Sequence, residues 1–158
     1  MTPAESKHKM DALVEELVRF EDLIDQDAPM EEVLPSIYNS HIDTYKDYSI
    51  RQLCQEMHDF YKSRNISLLQ QRLFSHEYFP DYVMNPQEAN FEFQRNKGEL
   101  VPLREAEGRI ALEGALPYPP GVLCVQPGER WSKTACDYFL ALEEGINLLP
   151  GFAPEIQG

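Results

Sequence analysis

The sequence predicts an α+β fold: several amphipathic helices packed on a small sheet. Two observations carry this. Apolar residues recur at helical spacing from Met10 to Ile24, from Leu53 to Tyr61 and again towards Leu142, whereas the period shortens towards that of strands between Glu99 and Val125. The two kinds of element are also segregated along the chain rather than strictly alternating, which separates α+β from an alternating parallel fold.

The elements follow in order. Thr2-Pro3-Ala4-Glu5 reads as a helix start, with Thr at the N-cap, Pro at the first helical position and Glu at the third. Met10, Leu13, Val14, Leu17, Val18, Phe20, Leu23 and Ile24 then form one broad apolar stripe, and the helix is expected to run to about Asp25. Asp27 is placed to cap a shorter helix ending near Asn39. Tyr45 to Tyr48 make a polar, aromatic bridge, and a change of composition between about 40 and 48 suggests a domain boundary. Ser49-Ile50-Arg51-Gln52 is a second capping box, followed by Leu53, Cys54, Met57, Phe60 and Tyr61 on one face. Ile66 to Phe74 predicts another helix, broken at Tyr78-Phe79-Pro80. Asn85-Pro86-Gln87-Glu88 opens a further capped helix that stops near Gly98. Glu99 to Arg104 and Arg109 to Leu112, separated by a turn at Glu107-Gly108, predict a hairpin. Ser132 opens a last helix through Leu142, closed by Gly145.

The stretch from Arg109 to Gly128 is the most constrained in the chain. Pro117, Pro119 and Pro120 lock φ and remove three backbone donors, so residues 116–120 suit neither a helix nor a central strand. Gly121 frees the chain again. Val122-Leu123-Cys124-Val125 reads as a short, fully buried strand joining the same sheet, ended by a Pro127-Gly128 turn. A rigid arm feeding a buried strand fixes backbone position, as pocket walls and interfaces require. A polyproline ligand reading of Pro117 to Pro120 is weaker, because the apolar continuation argues for burial.

At 158 residues, with 42% hydrophobic and 11% aromatic content, the chain can bury a real core. Its net charge of −13, from 27 acidic against 14 basic residues, repels phosphate backbones, so no nucleic-acid partner is expected. The same surface mildly attracts cations such as diamines and basic amino acids. Cys54, Cys124 and Cys136 are odd in number and widely spaced, which suits a reducing compartment and supplies neither a disulfide framework nor a zinc site. No apolar run reaches membrane-spanning length, and the first twenty residues do not resemble a signal peptide, so a cytoplasmic protein without membrane association is expected.

Few residues present themselves for chemistry. Cys54 and His58 stand one helical turn apart, but a Cys–His nucleophile needs an orienting third group and an oxyanion site, and Cys54 lies on the apolar stripe as a structural thiol would. The remaining histidines share no metal-ligand spacing. Trp131, after Gly128-Glu129-Arg130, is placed to anchor a packed corner or an interface. Glu113, if buried beside Tyr118, would help select a cationic substrate, since a buried carboxylate needs a partner; an exposed hairpin end explains it equally well.

EGALPYPPGVLC at 113–124, followed by PGE and Trp131, resembles the C-terminal region of the bacterial ornithine decarboxylases, in the pyridoxal-phosphate-dependent Orn/Lys/Arg decarboxylase family. TPAES at 2–6, SIRQLCQEMHDFY at 49–61, MNPQEAN at 84–90 and FLALEEGINLLPGFAPEIQG at 139–158 agree, so the resemblance covers nearly the whole chain. It implies that residues 1–42 end the aminotransferase-like small subdomain and that 45–158 are a truncated decarboxylase C-terminal domain. It implies a whole enzyme that converts L-ornithine to putrescine and CO₂, with pyridoxal phosphate bound outside this chain. Expected partners are the decarboxylase core domain, further copies in a homo-oligomer and a basic amino-acid substrate.

The resemblance also weighs individual residues. Ser6-Lys7-His8-Lys9 imitates the family's cofactor-lysine motif, yet that motif sits far upstream in the cofactor domain, so no catalytic or cofactor-binding residue is expected here. Glu5, whose local role is the third position of the capping box, falls near the family's substrate channel. Glu5, Glu113 and Tyr118 are thus the substrate-channel candidates. Small residues usually follow Trp131 in relatives, whereas Ser132-Lys133-Thr134 stand here. A piece without its large domain is expected to expose the stripe of residues 10–24 as an aggregation or partner-binding surface. The alternative function is a non-catalytic interaction or regulatory partner of a decarboxylase core.

Overall fold

A computed structural model of the chain describes residues 6–118, 121–145 and 149–152. The chain divides into two compact units, Met1–His58 and Asp59–Gly158.

In the first unit, α1 (Lys7–Asp25) starts at Ser6, whose Oγ accepts from the Lys9 amide at 3.3 Å. The cap expected at Thr2 lies outside the described residues. The helix ends at Asp25 as the apolar pattern predicts, and Asp27 turns the chain in the left-handed region, with φ 55°. The last carbonyls of α1 lack helical donors. Arg51 supplies them: its guanidinium donates to Ile24 O at 3.0 and 2.9 Å and to Asp25 O at 2.5 Å. A cation at the negative end of the helix dipole adds to this staple.

Three short helices follow, α2 (Met30–Val33), α3 (Pro35–Ser40) and α4 (Ile42–Tyr45). The single helix expected from Asp27 to Asn39 is therefore split. Pro35 has no amide hydrogen and occupies the first turn of a new helix, and Pro29 rather than Asp27 stands at the N-cap of α2. α5 (Ile50–Ser63) begins at Ser49, whose Oγ accepts from the Gln52 amide at 3.2 Å. The reciprocal half of that capping box is absent, because the Gln52 side chain donates to Glu56 at 3.0 Å instead. Met30 N donates to Tyr48 O and Ile50 N to Ala28 O, both at 3.0 Å, so a single bridge between Pro29 and Ser49 ties the helix starts together. Met30, Tyr45, Ile50 and Leu53 are buried.

In the second unit, α6 (Ile66–Leu73) packs against α8 (Lys133–Glu144). Their contact forms the core: Ile66 and Leu73 meet Ala135, Tyr138, Phe139, Ala141 and Leu142, together with Ala111, Cys124 and Val125 from the intervening chain. Trp131 packs edge-on to Phe139 at 5.7 Å, the packed corner its position suggested. Ser132 caps α8 through the Ala135 amide at 3.2 Å, and Gly145 closes it. α7 (Pro86–Gln94) carries the complete capping box expected at Asn85: Glu88 N donates to Asn85 Oδ1 at 2.9 Å and Asn85 N to Glu88 Oε2 at 3.1 Å.

The expected sheet does not form. The described residues contain no strand; the fold is helical with isolated antiparallel bridges, which overturns the α+β assignment. The first hairpin arm is irregular: Leu103–Glu105 forms a 3₁₀ turn behind Pro102, and Leu100 is fully exposed. The second arm pairs elsewhere, bridging Ile110 to Arg130. Residues 122–125 make one bridge, Ala115 to Val125, and only Cys124 and Val125 are buried; Val122 and Leu123 are 45% and 43% exposed. Pro102, Pro117 and Pro127 lack ladder donors, and Gly108, Gly121 and Gly128 turn the chain at positive φ. Each pairing therefore stops after one bridge.

Candidate functional site

Residues 113–118 and 121–123 of the second unit form an arm. Its base is closed by Ala115 N to Val125 O at 2.9 Å, Cys124 N to Ala115 O at 2.9 Å and Val125 N to Ala115 O at 3.2 Å. Pro117 is buried and anchors the arm, and its carbonyl accepts from Gly121 N at 3.0 Å. Gly121 has φ 81°, and a Cβ there would stand 3.2 Å from the Tyr118 ring, so only glycine lets that ring lie across the turn without displacement. Leu123 covers Gly114 in the same way, 2.9 Å from where a Cβ would be. The arm thus presents Tyr118 (55% exposed), Val122 and Leu123 to solvent, an apolar wall with one phenol. Glu113, at the bend leading into it, is also exposed.

A second feature fixes the base of the arm, and it was visible in the sequence only as a turn. Gly128 N donates to Ala111 O at 2.7 Å, and Gly128 O accepts from Val83 N and Met84 N at 3.0 and 3.1 Å. Arg130 N donates to Asp81 O at 2.9 Å, while its guanidinium donates to Gly108 O at 2.6 Å. The Glu129 carboxylate accepts from Gln126 N at 2.7 Å. Two segments, 81–84 and 108–111, thereby converge on Gly128-Glu129-Arg130, and the signal for this was a glycine locked between a proline and two charged residues.

Glu113 and Tyr118 are both exposed on the same segment, with no contact between them, while Glu5 lies outside the described residues. No residue constellation for covalent chemistry appears among the described residues. Cys54 is half-buried, His58 is exposed, and no hydrogen bond joins them. Burial pushes the Cys124 thiol up, and burial, reinforced by Glu107 and Asp137, pushes Cys136 up to about 11. Both thiols are held protonated and inert. No group of three or more potential metal ligands occurs among the described residues, and no described helix is long and apolar enough to cross a membrane.

A groove of about 410 Å³ lies between α6 and α8, lined by Arg64, Leu68, Leu69, Arg72, Asp137 and Leu140 among others. Its charges are engaged: Arg64 pairs with Glu144, Arg72 stacks over Tyr78 at 5.1 Å, and Asp137 binds Lys133 at 2.9 Å. The described residues do not fit pyridoxal phosphate. Lys7, His8 and Lys9 are exposed on the first turn of α1, and no charged or polar side chain is buried to serve as a pyridinium partner or phosphate cup.

Comparison with known proteins agrees with the resemblance read from the motifs. The C-terminal domain of the Orn/Lys/Arg decarboxylases matches residues 67–158. The ornithine decarboxylase of Haemophilus influenzae is 62% identical over all 158 residues, which cover 22% of that protein. The inducible ornithine decarboxylase of Escherichia coli is 61% identical over the same span and the same share. Among solved structures, the lysine decarboxylase of Francisella novicida superposes with a TM-score of 0.85 at 29% identity, over 98% of this chain and 22% of that one. The chain thus spans about a fifth of the length of the relatives it matches, and it belongs to the Orn/Lys/Arg decarboxylase family, whose C-terminal domain it carries.

Proposed function

We propose that this chain is the C-terminal part of an enzyme that decarboxylates L-ornithine to putrescine and CO₂ in the cytoplasm. The observation that carries the reading is the contrast in identity: 62% and 61% to two ornithine decarboxylases over the full chain, against 29% to a lysine decarboxylase of the same fold. In this reading residues 1–42 end the aminotransferase-like small subdomain and 45–158 form the C-terminal domain. The cofactor, pyridoxal phosphate, belongs to the core domain of the homo-oligomeric enzyme, where it would withdraw electrons from the carbon that loses carboxylate.

This chain contributes shape and charge. The arm walls the substrate channel, with Tyr118, Val122 and Leu123 lining the passage for the aliphatic chain. Glu113, with Glu5, pairs with the distal ammonium of the substrate. Both Glu113 and Tyr118 being exposed supports a surface that another part of the enzyme covers, since a channel wall has no partner within its own unit.

The test is a chimera in which this chain replaces the matching segment of the Haemophilus influenzae enzyme. The expected result is ornithine decarboxylation with ornithine preferred over lysine. Glu113→Gln in the chimera is expected to raise KM for ornithine roughly tenfold, with a smaller change in kcat, because the ammonium contact is made in ground and transition states alike. A folded chimera that does not decarboxylate ornithine overturns the proposal.

A further inference from the structure

We infer that Gly121 is a positioning residue for the proposed site. By carrying no Cβ it sets the ring of Tyr118 in the channel wall, and through that ring it acts on the binding of ornithine. The inference rests on the reading just proposed and adds to it a residue that itself touches no substrate.

Tyr118 is an exposed side chain on a restricted backbone. It lies between Pro117 and Pro119, and a residue that precedes proline is confined to extended conformations. Pro117 has its own φ locked, is buried, and accepts from Gly121 N at 3.0 Å, which closes the turn beside the ring. Two side-chain torsions are then left to fix, a small entropic cost for the contact surface that a tyrosine offers. Gly121 decides where they settle. At φ 81°, the Cβ of an L residue would stand 3.2 Å from Tyr118 Cδ2, 3.6 Å from Cε2 and 3.7 Å from Leu116 Cδ1. Gly121 thus nests between the ring and the Leu116 side chain, while Tyr118 as a whole stays 55% exposed.

A methyl added at Gly121 displaces a side chain and leaves the backbone alone. A Cβ 3.2 Å from a ring carbon obliges the ring to give way by a few tenths of an ångström, and an exposed ring does so by turning about its own bonds. It gives way off the arm, towards the side that the proposed enzyme uses as its passage. Gly108 has nearly the same φ, 79°, yet a Cβ there would meet nothing within 4 Å. Substitution at Gly108 therefore carries the backbone strain without the ring. A whole methylene misfitted in an apolar pocket changes discrimination by about 10- to 200-fold, so a fraction of one is expected to weaken ornithine binding by about three- to tenfold.

The test is a double-mutant cycle in the chimera, with Gly121→Ala, Tyr118→Ala and the two combined. Gly121→Ala is expected to raise KM for ornithine about three- to tenfold and to keep kcat within about twofold, while Gly108→Ala leaves both within about twofold. In the Tyr118→Ala background, adding Gly121→Ala is expected to change KM by less than about twofold, because the ring it acts through is gone. An undiminished effect in that background, or a folded Gly121→Ala chimera with the parent KM, overturns the positioning role. Gly121→Asn keeps the Cβ in a residue that tolerates positive φ, and it is read against the same two outcomes should the alanine variant not fold. NMR of the 158-residue chain gives a readout independent of turnover. The Gly121 Hα that stands in place of a Cβ points at the Tyr118 ring, so its resonance is expected to be displaced by the ring current and to return to the ordinary glycine value in Tyr118→Leu. A resonance that Tyr118→Leu leaves in place overturns the inference without any change at Gly121. A parent chimera that does not decarboxylate ornithine overturns the proposed function, and the substrate named here with it; the Gly121–Tyr118 contact is then decided by the resonance alone.

Discussion

Gly128→Ala is expected to be the most damaging glycine-to-alanine change among Gly98, Gly108, Gly114, Gly121, Gly128 and Gly145. Gly128 has φ 92°, and a Cβ there would lie 2.1 Å from the Met84 carbonyl oxygen and 3.0 Å from its carbon. Those atoms are backbone, so no side-chain rotation relieves the overlap, and the segment must move by about 1 Å to reach ordinary contact. That movement breaks the bonds from Val83 N and Met84 N to Gly128 O, each worth about 0.5–1.5 kcal/mol. Overpacking adds about 1–3 kcal/mol, and holding alanine at positive φ about 1 kcal/mol more. The sum is about 3–7 kcal/mol.

Gly108 supplies the control. Its φ is 79°, but a Cβ would meet nothing within 4 Å, so Gly108→Ala bears only the backbone term of about 1 kcal/mol. At about 2–4 °C per kcal/mol for a chain of this size, the two variants are expected to melt about 15 °C and about 3 °C below the parent. Trp131 reports the transition, because its amide donates to Arg109 O at 2.8 Å beside the same hub. If Gly128→Ala melts within about 3 °C of Gly108→Ala, the steric reasoning is refuted.

Three further outcomes are expected. Pyridoxal phosphate added to the isolated chain should give no stoichiometric internal-aldimine absorption band, since Lys9 is exposed and no charged side chain is buried beside it; a borohydride-fixed adduct on Lys9 alone would contradict this. Arg51→Met should destabilise the first unit by about 1 kcal/mol, as the last carbonyls of α1 lose a charged donor that is itself solvent-exposed, and hydrogen exchange at Gln26 and Ala28 should quicken severalfold. Stability should fall as pH rises from about 9 to about 11, because Cys136 stays protonated in the folded chain to about 11 from an ordinary value of 9.0, while the unfolded thiol ionises earlier. Cys136→Ala should flatten that part of a urea-denaturation pH profile; an unchanged slope would count against burial as the cause.

Local chemistry was legible in the sequence wherever one or two turns of chain decide the outcome. Asn85 with Glu88, Ser49 and Ser132 cap helices as their spacing indicates, because a capping hydrogen bond spans three residues and needs no partner from elsewhere. The proline arm was legible for the same reason, since Pro117 restricts its own backbone whatever surrounds it. The break at Pro35 is a local detail in which a nearer competing signal prevailed.

What the sequence by itself determined is therefore the family, the helices and their caps, and the arm as a rigid feature. Only the tertiary structure decided that residues 99–125 form no sheet, because pairing depends on which distant donors arrive. Arg109 and Ala111 meet Glu129 and Trp131 rather than the segment before the turn. Tertiary structure also decided which apolar residues are covered. Val122 and Leu123 read as buried by hydrophobicity, yet they face solvent in this chain, whereas the α1 stripe is exposed as expected of a piece without its large domain. Hydrophobic pattern records that a surface wants to leave water; it does not record whether the body that covers it lies within the same chain.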